Sequence, residues 1–351
     1  MNCGEVAERL KAHAWKVCIR ETVSRVRIPL SPPFLYDQAL SGAVFVSSLW
    51  PLPLKKNETI EIIAPAFGYF PEILDKTKAF LSSWGLHPLI PDDIFGYDIL
   101  CAQTDEIRFN HLYKALHSEK SRYIWCLRGG YGSTRLLSFL KDISPPPAPK
   151  LLIGSSDITA LHVFLNQKWG WSSLHASVLK SIVMDEVSKA SISSLKDLLL
   201  GTQTKKKYDH LLPLNNAAFN KQSIDAPIIG GNLTLVESGL GTFWQADAFE
   251  KIVFLEEVDE RGYRIDRSLV HLSQAGLFEN AKAVILGDFM GGEEKDGSSL
   301  IEPVLQRFAD SLSIPVLKME GIGHGFVDSP LPLGIPITLE TGPNSSLSYQ
   351  L

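Results

Sequence analysis

A two-domain α/β fold is predicted by three observations. From Glu58 onward, short apolar runs rich in β-branched residues alternate with longer runs whose apolar residues recur at helical spacing. Glycine or proline marks many of the junctions. The alternation lapses into a more polar stretch over residues 181–225 and then resumes. Such alternation argues for a mostly parallel sheet covered by helices on both faces. The 351 residues suffice for about two domains of ~100–200 residues each.

The elements follow in order. Residues 59–64 read as a strand closed by Pro65, and residues 71–84 as a helix carrying Ile73, Leu74, Ala79, Phe80 and Leu81, with Gly85 to end it. A short strand at 86–90 precedes a helix at 104–117 capped by Thr104. The strand 123–127 runs into Arg128-Gly129-Gly130-Tyr131-Gly132, followed by a helix at 133–140 and a proline-stiffened loop. A strand at 151–153 and a helix at 157–169 complete the first set. Lys205-Lys206-Lys207 and Asn215-Asn216 then read as a connector behind a helix at 189–200. The second set has strands at 228–229, 251–255, 283–286 and 316–318, helices at 233–240, 263–275 and 300–312, and an extended tail from Leu331. The expected division is residues 1–56 as a spurious or disordered extension, 57–180 as a Rossmann-like N-terminal domain, 181–224 as a connector, and 225–351 as a smaller C-terminal α/β domain.

Residues 1 to about 33 look foreign to the rest. Gly4 to His13 and Val26 to Pro33 resemble the conceptual translation of a transfer-RNA gene, and no methionine occurs between Met1 and Met184. The expectation is that the real protein begins near Leu49 to Lys55; the plainer reading is an amphipathic helix over residues 5–20 and a proline-rich linker. This segment is set aside from the fold.

Composition removes several function classes. A net charge of −5 leaves no footprint for nucleic acid or an anionic membrane. No run reaches the ~18–20 apolar residues of a membrane span; residues 43–54 are apolar but interrupted by Pro51 and Pro53. Cys3, Cys18, Cys101 and Cys126 show no CxxC spacing, which fits a reducing cytoplasm better than a disulfide framework. The nine histidines are scattered with no HExxH, so neither a metal nor a cofactor is expected.

Three segments remain that chemistry would explain. Gly154-Ser155-Ser156-Asp157 sits where a strand turns into a helix. A serine there presents its oxygen on a tight bend beside helix N–H donors, although Ser-Ser-Asp is also an ordinary helix cap. Glu256 and Glu257 close a strand, and adjacent residues of a strand face opposite ways, so only one can enter a given cleft; a solvated acidic turn is the plain alternative. His324 stands between Gly323 and Gly325 with little local packing to explain it. Serine, carboxylate and histidine at strand ends are the parts of a hydroxyl nucleophile, its orienting acid and its base. Three glycines in four positions after Arg128 permit close backbone approach to a ligand. The P-loop lysine is missing there, and a tight turn is the alternative. His162, His175 and His271 lie within or beside helical patterns and read as structural.

Taken together, these segments resemble the LD-carboxypeptidases (muramoyl-tetrapeptide carboxypeptidases). The likeness is carried by the glycine run at 128–132, Gly154 to His162, Gly230-Gly231-Asn232-Leu233, Phe254 to Val258 with Tyr263-Arg264-Ile265-Asp266-Arg267, and Gly323-His324-Gly325 with Leu331-Pro332-Leu333-Gly334. It covers about residues 57 to 342 in the family's order. The resemblance implies a two-domain serine peptidase with Ser156 as nucleophile, His324 as base and Glu256 as orienting acid. Asp157 and Gly130 would supply the oxyanion N–H donors, and Arg128, Gly129 and Tyr131 would bind substrate. Ser155 stands where an aromatic is usual, and Glu257 where Asp is common. The implied substrate is the murein tetrapeptide of cell-wall recycling, cut before its terminal D-alanine; relatives detoxify microcin C-type peptide nucleotides. A cytoplasmic homodimer with no nucleic-acid or membrane partner is expected.

Overall fold

The alternation read from the sequence becomes two sheets. The structure, a computed structural model, describes residues 50–351, and these lie within one compact unit. The expectations for residues 1–49, among them the amphipathic helix, fall outside the described residues. Within 50–56, Leu54 is buried, and its N–H donates to Leu199 O at 2.8 Å. The fold therefore begins before residue 57.

The first strands are β1 (Thr59–Ile63), β2 (His87–Leu89), β3 (Tyr123–Cys126), β4 (Leu151–Gly154) and β5 (Ser173–His175). Helices Ile73–Ser83, Asp105–His117 and Ser133–Leu140 connect them. Then come β6 (Lys205–Asp209), β7 (Leu212–Pro213), β8 (Ser223–Asn232), β9 (Ile252–Val258) and β10 (Ala283–Met290). The last are β11 (Val316–Lys318), β12 (Leu331–Leu333), β13 (Pro336–Glu340) and β14 (Ser346–Gln350).

The first sheet has the order β12-β5-β4-β3-β1-β2 and the second β6-β14-β13-β8-β9-β10-β11-β7. In the first, β1 to β5 pair in parallel. β12 returns from late in the chain to pair antiparallel with β5. In the second, β8 to β11 are parallel, with antiparallel strands on both flanks.

Strand alternation sends neighbouring residues to different cores. Ile60, Ile62, Trp125 and Ile153 join Phe254 and Ile285 in one apolar cluster. Ile63, Ile124, Leu152, Leu255 and Leu286 join the other. Each core thus runs through both sheets and fixes one against the other.

Several elements differ from the sequence reading, among them the helix Leu179–Val183, β7 and the helix Asn216–Phe219, which fall in or beside the expected connector. The helix expected at 157–169 is a 3-10 turn (Ser156–Ile158), an α-helix (Thr159–Phe164) and a π turn (Leu165–Trp169), because the chain enters it through a left-handed Ser156. Lys205-Lys206-Lys207 begin β6, an edge strand on β14; edge strands tolerate the charge that marks them as loop. The three-residue strand β5 was also absent from the sequence reading; it forms through pairing with β4 and β12.

Candidate active site

Ser156 follows β4 directly. Its φ is +62°, a left-handed conformation that costs a non-glycine residue about 1–3 kcal/mol and gathers at functional sites. Ser155 before it is extended, and the 3-10 turn opens at Ser156 itself. Neighbouring positions are shaped to this bend. A Cβ on Gly129 would stand 2.9 Å from Ser156 Cβ, and one on Gly154 2.9 Å from Ile158. Gly130 has φ +106°, and a Cβ there would stand 2.4 Å from the Phe67 ring, so only glycine fits this point of the cleft wall.

Asp157 is tied elsewhere by its side chain. Its Oδ2 accepts from the Ser133 N–H at 2.8 Å, which anchors the helix following the glycine run. Burial pushes its carboxyl up from the ordinary range, against the hydrogen bonds from Ser133. That run is clamped from behind by Arg108, which is 1% exposed. Its guanidinium donates to Gly132 O at 2.9 Å, to Gln103 O at 3.0 Å, and also to Pro65 O and Asp105.

The two adjacent glutamates part as strand alternation requires. Glu256 continues the face of Phe254 and is 0% exposed. Glu257 turns the other way: it accepts from Asn232 Nδ2 at 2.8 Å and from the Thr234 N–H at 2.9 Å. It thereby holds the start of the helix Leu233–Ser238. The Gly230-Gly231-Asn232 segment performs a related task. Asn232 N–H donates to Thr159 Oγ1 at 2.9 Å, and a Cβ on Gly231 would lie 2.4 Å from that same oxygen. The second sheet therefore abuts the helix that carries the Ser156 turn.

His324 reaches Glu256 from the loop after β11. Its Nδ1 lies 2.6 Å from Glu256 Oε2. Gly323 has φ +151°, and a Cβ there would press within 3.2 Å of that carboxylate oxygen, so glycine is what lets the loop close over the acid. Asp288 accepts from Gly321 N–H at 2.9 Å, and Asp328 from Gly323 N–H at 3.3 Å. Burial alone would raise the Glu256 pKa, but the facing His324 and His175 lower it to about 2. Burial alone would lower that of His324; the Glu256 charge and hydrogen bond overturn this and raise it to about 9. The two shifts describe one ion pair.

A cleft of about 410 Å³ gathers Arg128, Gly129, Gly130, Ser156 and His324 on its walls. Glu256 sits behind His324, out of the cleft. Tyr131 is not brought in: it is 39% exposed and packs beside Phe67 with ring centroids 6.4 Å apart. Arg128 stacks over Phe67 and Tyr69, each 5.4 Å away, and donates to Gly68 O at 2.9 Å. The sequence reading missed Lys180, Glu186, Ser177 and Asp328, which also line the cleft. Lys180 and Glu186 form an ion pair there; nothing in their local sequence signals it, because the turn after β5 delivers them.

A strained serine at a strand–helix turn, opening onto a cleft shared with a histidine–glutamate pair, is the arrangement of an α/β serine hydrolase. Comparison with known proteins gives the family. Residues 60–176 match the family model of the LD-carboxypeptidase N-terminal domain and residues 225–339 that of its C-terminal domain. The chain belongs to the LD-carboxypeptidase family of serine peptidases. It is 41% identical over 278 residues to a Rickettsia conorii protein provisionally named a carboxypeptidase, across 79% of this chain and 86% of that one. It is 29% identical to the murein tetrapeptide carboxypeptidase of Pseudomonas aeruginosa, across 80% and 92%. The crystal structure of muramoyltetrapeptide carboxypeptidase from Oxalobacter formigenes superposes with a TM-score of 0.72 at 26% identity, across 83% and 99%. The fold alone is shared with the microcin C7 self immunity protein MccF, at TM-score 0.71 and 21% identity, across 86% and 99%.

Proposed function

We propose that this protein releases the terminal D-alanine from murein tetrapeptides, using Ser156, His324 and Glu256 as nucleophile, base and orienting acid. The observation that carries the reading is the 2.6 Å His324–Glu256 contact beside a cleft that is lined by both His324 and the left-handed Ser156. His324 takes the Ser156 proton as Oγ attacks the scissile carbonyl. Glu256 fixes the imidazole with its proton on Nδ1 and stabilises the imidazolium that forms. The imidazolium then delivers its proton to the departing D-alanine amine, and water repeats the cycle on the acyl-enzyme. The N–H groups of Gly130 and Asp157 stabilise the oxyanion, each donor worth roughly 3–4 kcal/mol in comparable sites. Arg128 anchors the substrate's free carboxylate from the cleft wall. Location in the cytoplasm and assembly as a homodimer belong to the same proposal.

The test is mass spectrometry of a murein tetrapeptide before and after incubation. Loss of one alanine with the wild type, and none with a folded Ser156→Ala, is the expected result. Undiminished release by Ser156→Ala would remove the mechanism. A second reading follows from the shared MccF fold: hydrolysis of an aminoacyl-nucleotide analogue. Turnover of an aminoacyl sulfamoyl adenosine but not of the tetrapeptide would favour it, and binding of either without turnover would leave only a binding module.

A further inference from the structure

We propose that His175 is a positioning residue for Glu256, an N–H donor held against the carboxylate oxygen that His324 does not use. The role builds on the catalytic reading of Ser156, His324 and Glu256 given above. It starts from the topology. β5 lies between β4 and β12, and its last residue, His175, stands in register with Gly154, two residues before Ser156. The sheet therefore delivers this histidine to the base of the Ser156 turn, beside Glu256 near the end of β9 (Ile252–Val258).

The burial and the bonding then single it out. His175 and Glu256 are both 0% exposed. Neither ring nitrogen of His175 has a hydrogen-bond partner among the described residues, and neither does Glu256 Oε1. These unmatched atoms face each other: His175 Nε2 lies 3.8 Å from Glu256 Oε1. The Phe254 ring packs edge-on against the imidazole, centroids 5.2 Å apart, and holds it at that spot. A buried polar atom left unpaired is destabilising, and one donor and one acceptor here relieve each other if they close by about 1 Å. Glu256 is then gripped at both oxygens, Oε2 by His324 and Oε1 by His175. Its carboxylate plane, and with it the direction in which His324 points, is fixed.

His175 does not line the cleft and touches no reacting atom, so its effect passes through Glu256. The other titratable groups around the pair are Asp328, Asp288, Glu257 and His162. Asp328 and His162 also feel the His175 charge, so the readout that matters is His324, which meets His175 only through Glu256.

The experiment compares wild type, His175→Phe and His175→Gln by D-alanine release and by NMR titration of His324. His175→Phe fills the same space without a donor; His175→Gln restores one. The expected result for His175→Phe is a roughly ten- to hundredfold loss of kcat with KM nearly unchanged, as for other orienting partners. His324 then titrates at higher pH, because the carboxylate no longer shares its charge. His175→Gln recovers most of the rate and the wild-type titration. An unmoved His324 titration in His175→Phe, or a His175→Gln protein that behaves like His175→Phe, overturns the role. Failure of the wild type to release D-alanine would count against the catalytic reading instead, while the titration still decides whether His175 acts on Glu256.

Discussion

Replacing Glu256 with glutamine is the sharpest perturbation of the site. The amide keeps the shape of the side chain and removes its charge. The carboxylate stands 2.6 Å from His324 Nδ1 and is wholly buried, so no solvent counter-charge takes its place. Burial alone lowers the imidazole pKa, and Glu256 outweighs burial to raise it to about 9. Without the charge, His324 falls back toward or below its ordinary 6.5, which corresponds to roughly 3 kcal/mol at about 1.4 kcal/mol per pKa unit. Two consequences run in opposite directions. A general base works when neutral, so wild-type kcat/KM rises as the pH climbs through about 9. In Glu256→Gln that rise moves to lower pH, because the base is neutral sooner. The plateau meanwhile drops by about 10³–10⁴, since the imidazolium loses its counter-charge and the imidazole its enforced tautomer. The assay is D-alanine release from tetrapeptide across roughly pH 5 to 10, with Ser156→Ala as the blank. A rise that stays at the wild-type pH, or a plateau less than about tenfold lower, would refute this account of the pair.

The same pair predicts how stability follows pH. Glu256 is depressed, so its contribution is present above its ordinary 4.5 and disappears as the pH falls toward about 2. His324 is raised, so its contribution is present below 6.5 and disappears as the pH rises through about 9. The melting-temperature difference between wild type and Glu256→Gln is therefore largest between pH 4.5 and 6.5; a pH-independent difference contradicts it. Gly129→Ala places a Cβ 2.9 Å from Ser156 Cβ and 3.2 Å from Oγ. The clash costs about 1–3 kcal/mol of stability and lowers kcat far more than it raises KM; wild-type kinetics would show that the loop has slack. Arg108→Lys cannot span the four acceptors of the buried guanidinium, so the protein melts earlier and hydrolyses more slowly. An unchanged melting curve would show that the clamp on Gly132 is dispensable.

How much of this was legible beforehand depended on whether the signal was local. Helices such as Ser133–Leu140 carry their own periodicity and were readable to the residue. The turn at Ser156 and the glycine-flanked His324 were visible because a strand end followed by such residues has few plain explanations. Glu256 was separable from Glu257 only through alternation of faces. What escaped depends on distant pairing. β5 is three residues long and exists because β4 and β12 flank it, so His175 looked like a helical packing residue rather than a group beside Glu256. Lys180 and Glu186 were hidden for the same reason. Tyr131 was grouped with the glycines, yet it is not among the residues that line the cleft.

The late return of β12 has a consequence for biosynthesis. Leu331, where that strand begins, follows His324 by seven positions, so the histidine leaves the ribosome together with the segment that completes the first sheet. Until then that sheet has a bare flank along β5. If His324 is the base proposed above, hydrolytic competence and structural closure are acquired in one late step, and a truncated chain is expected to be inert.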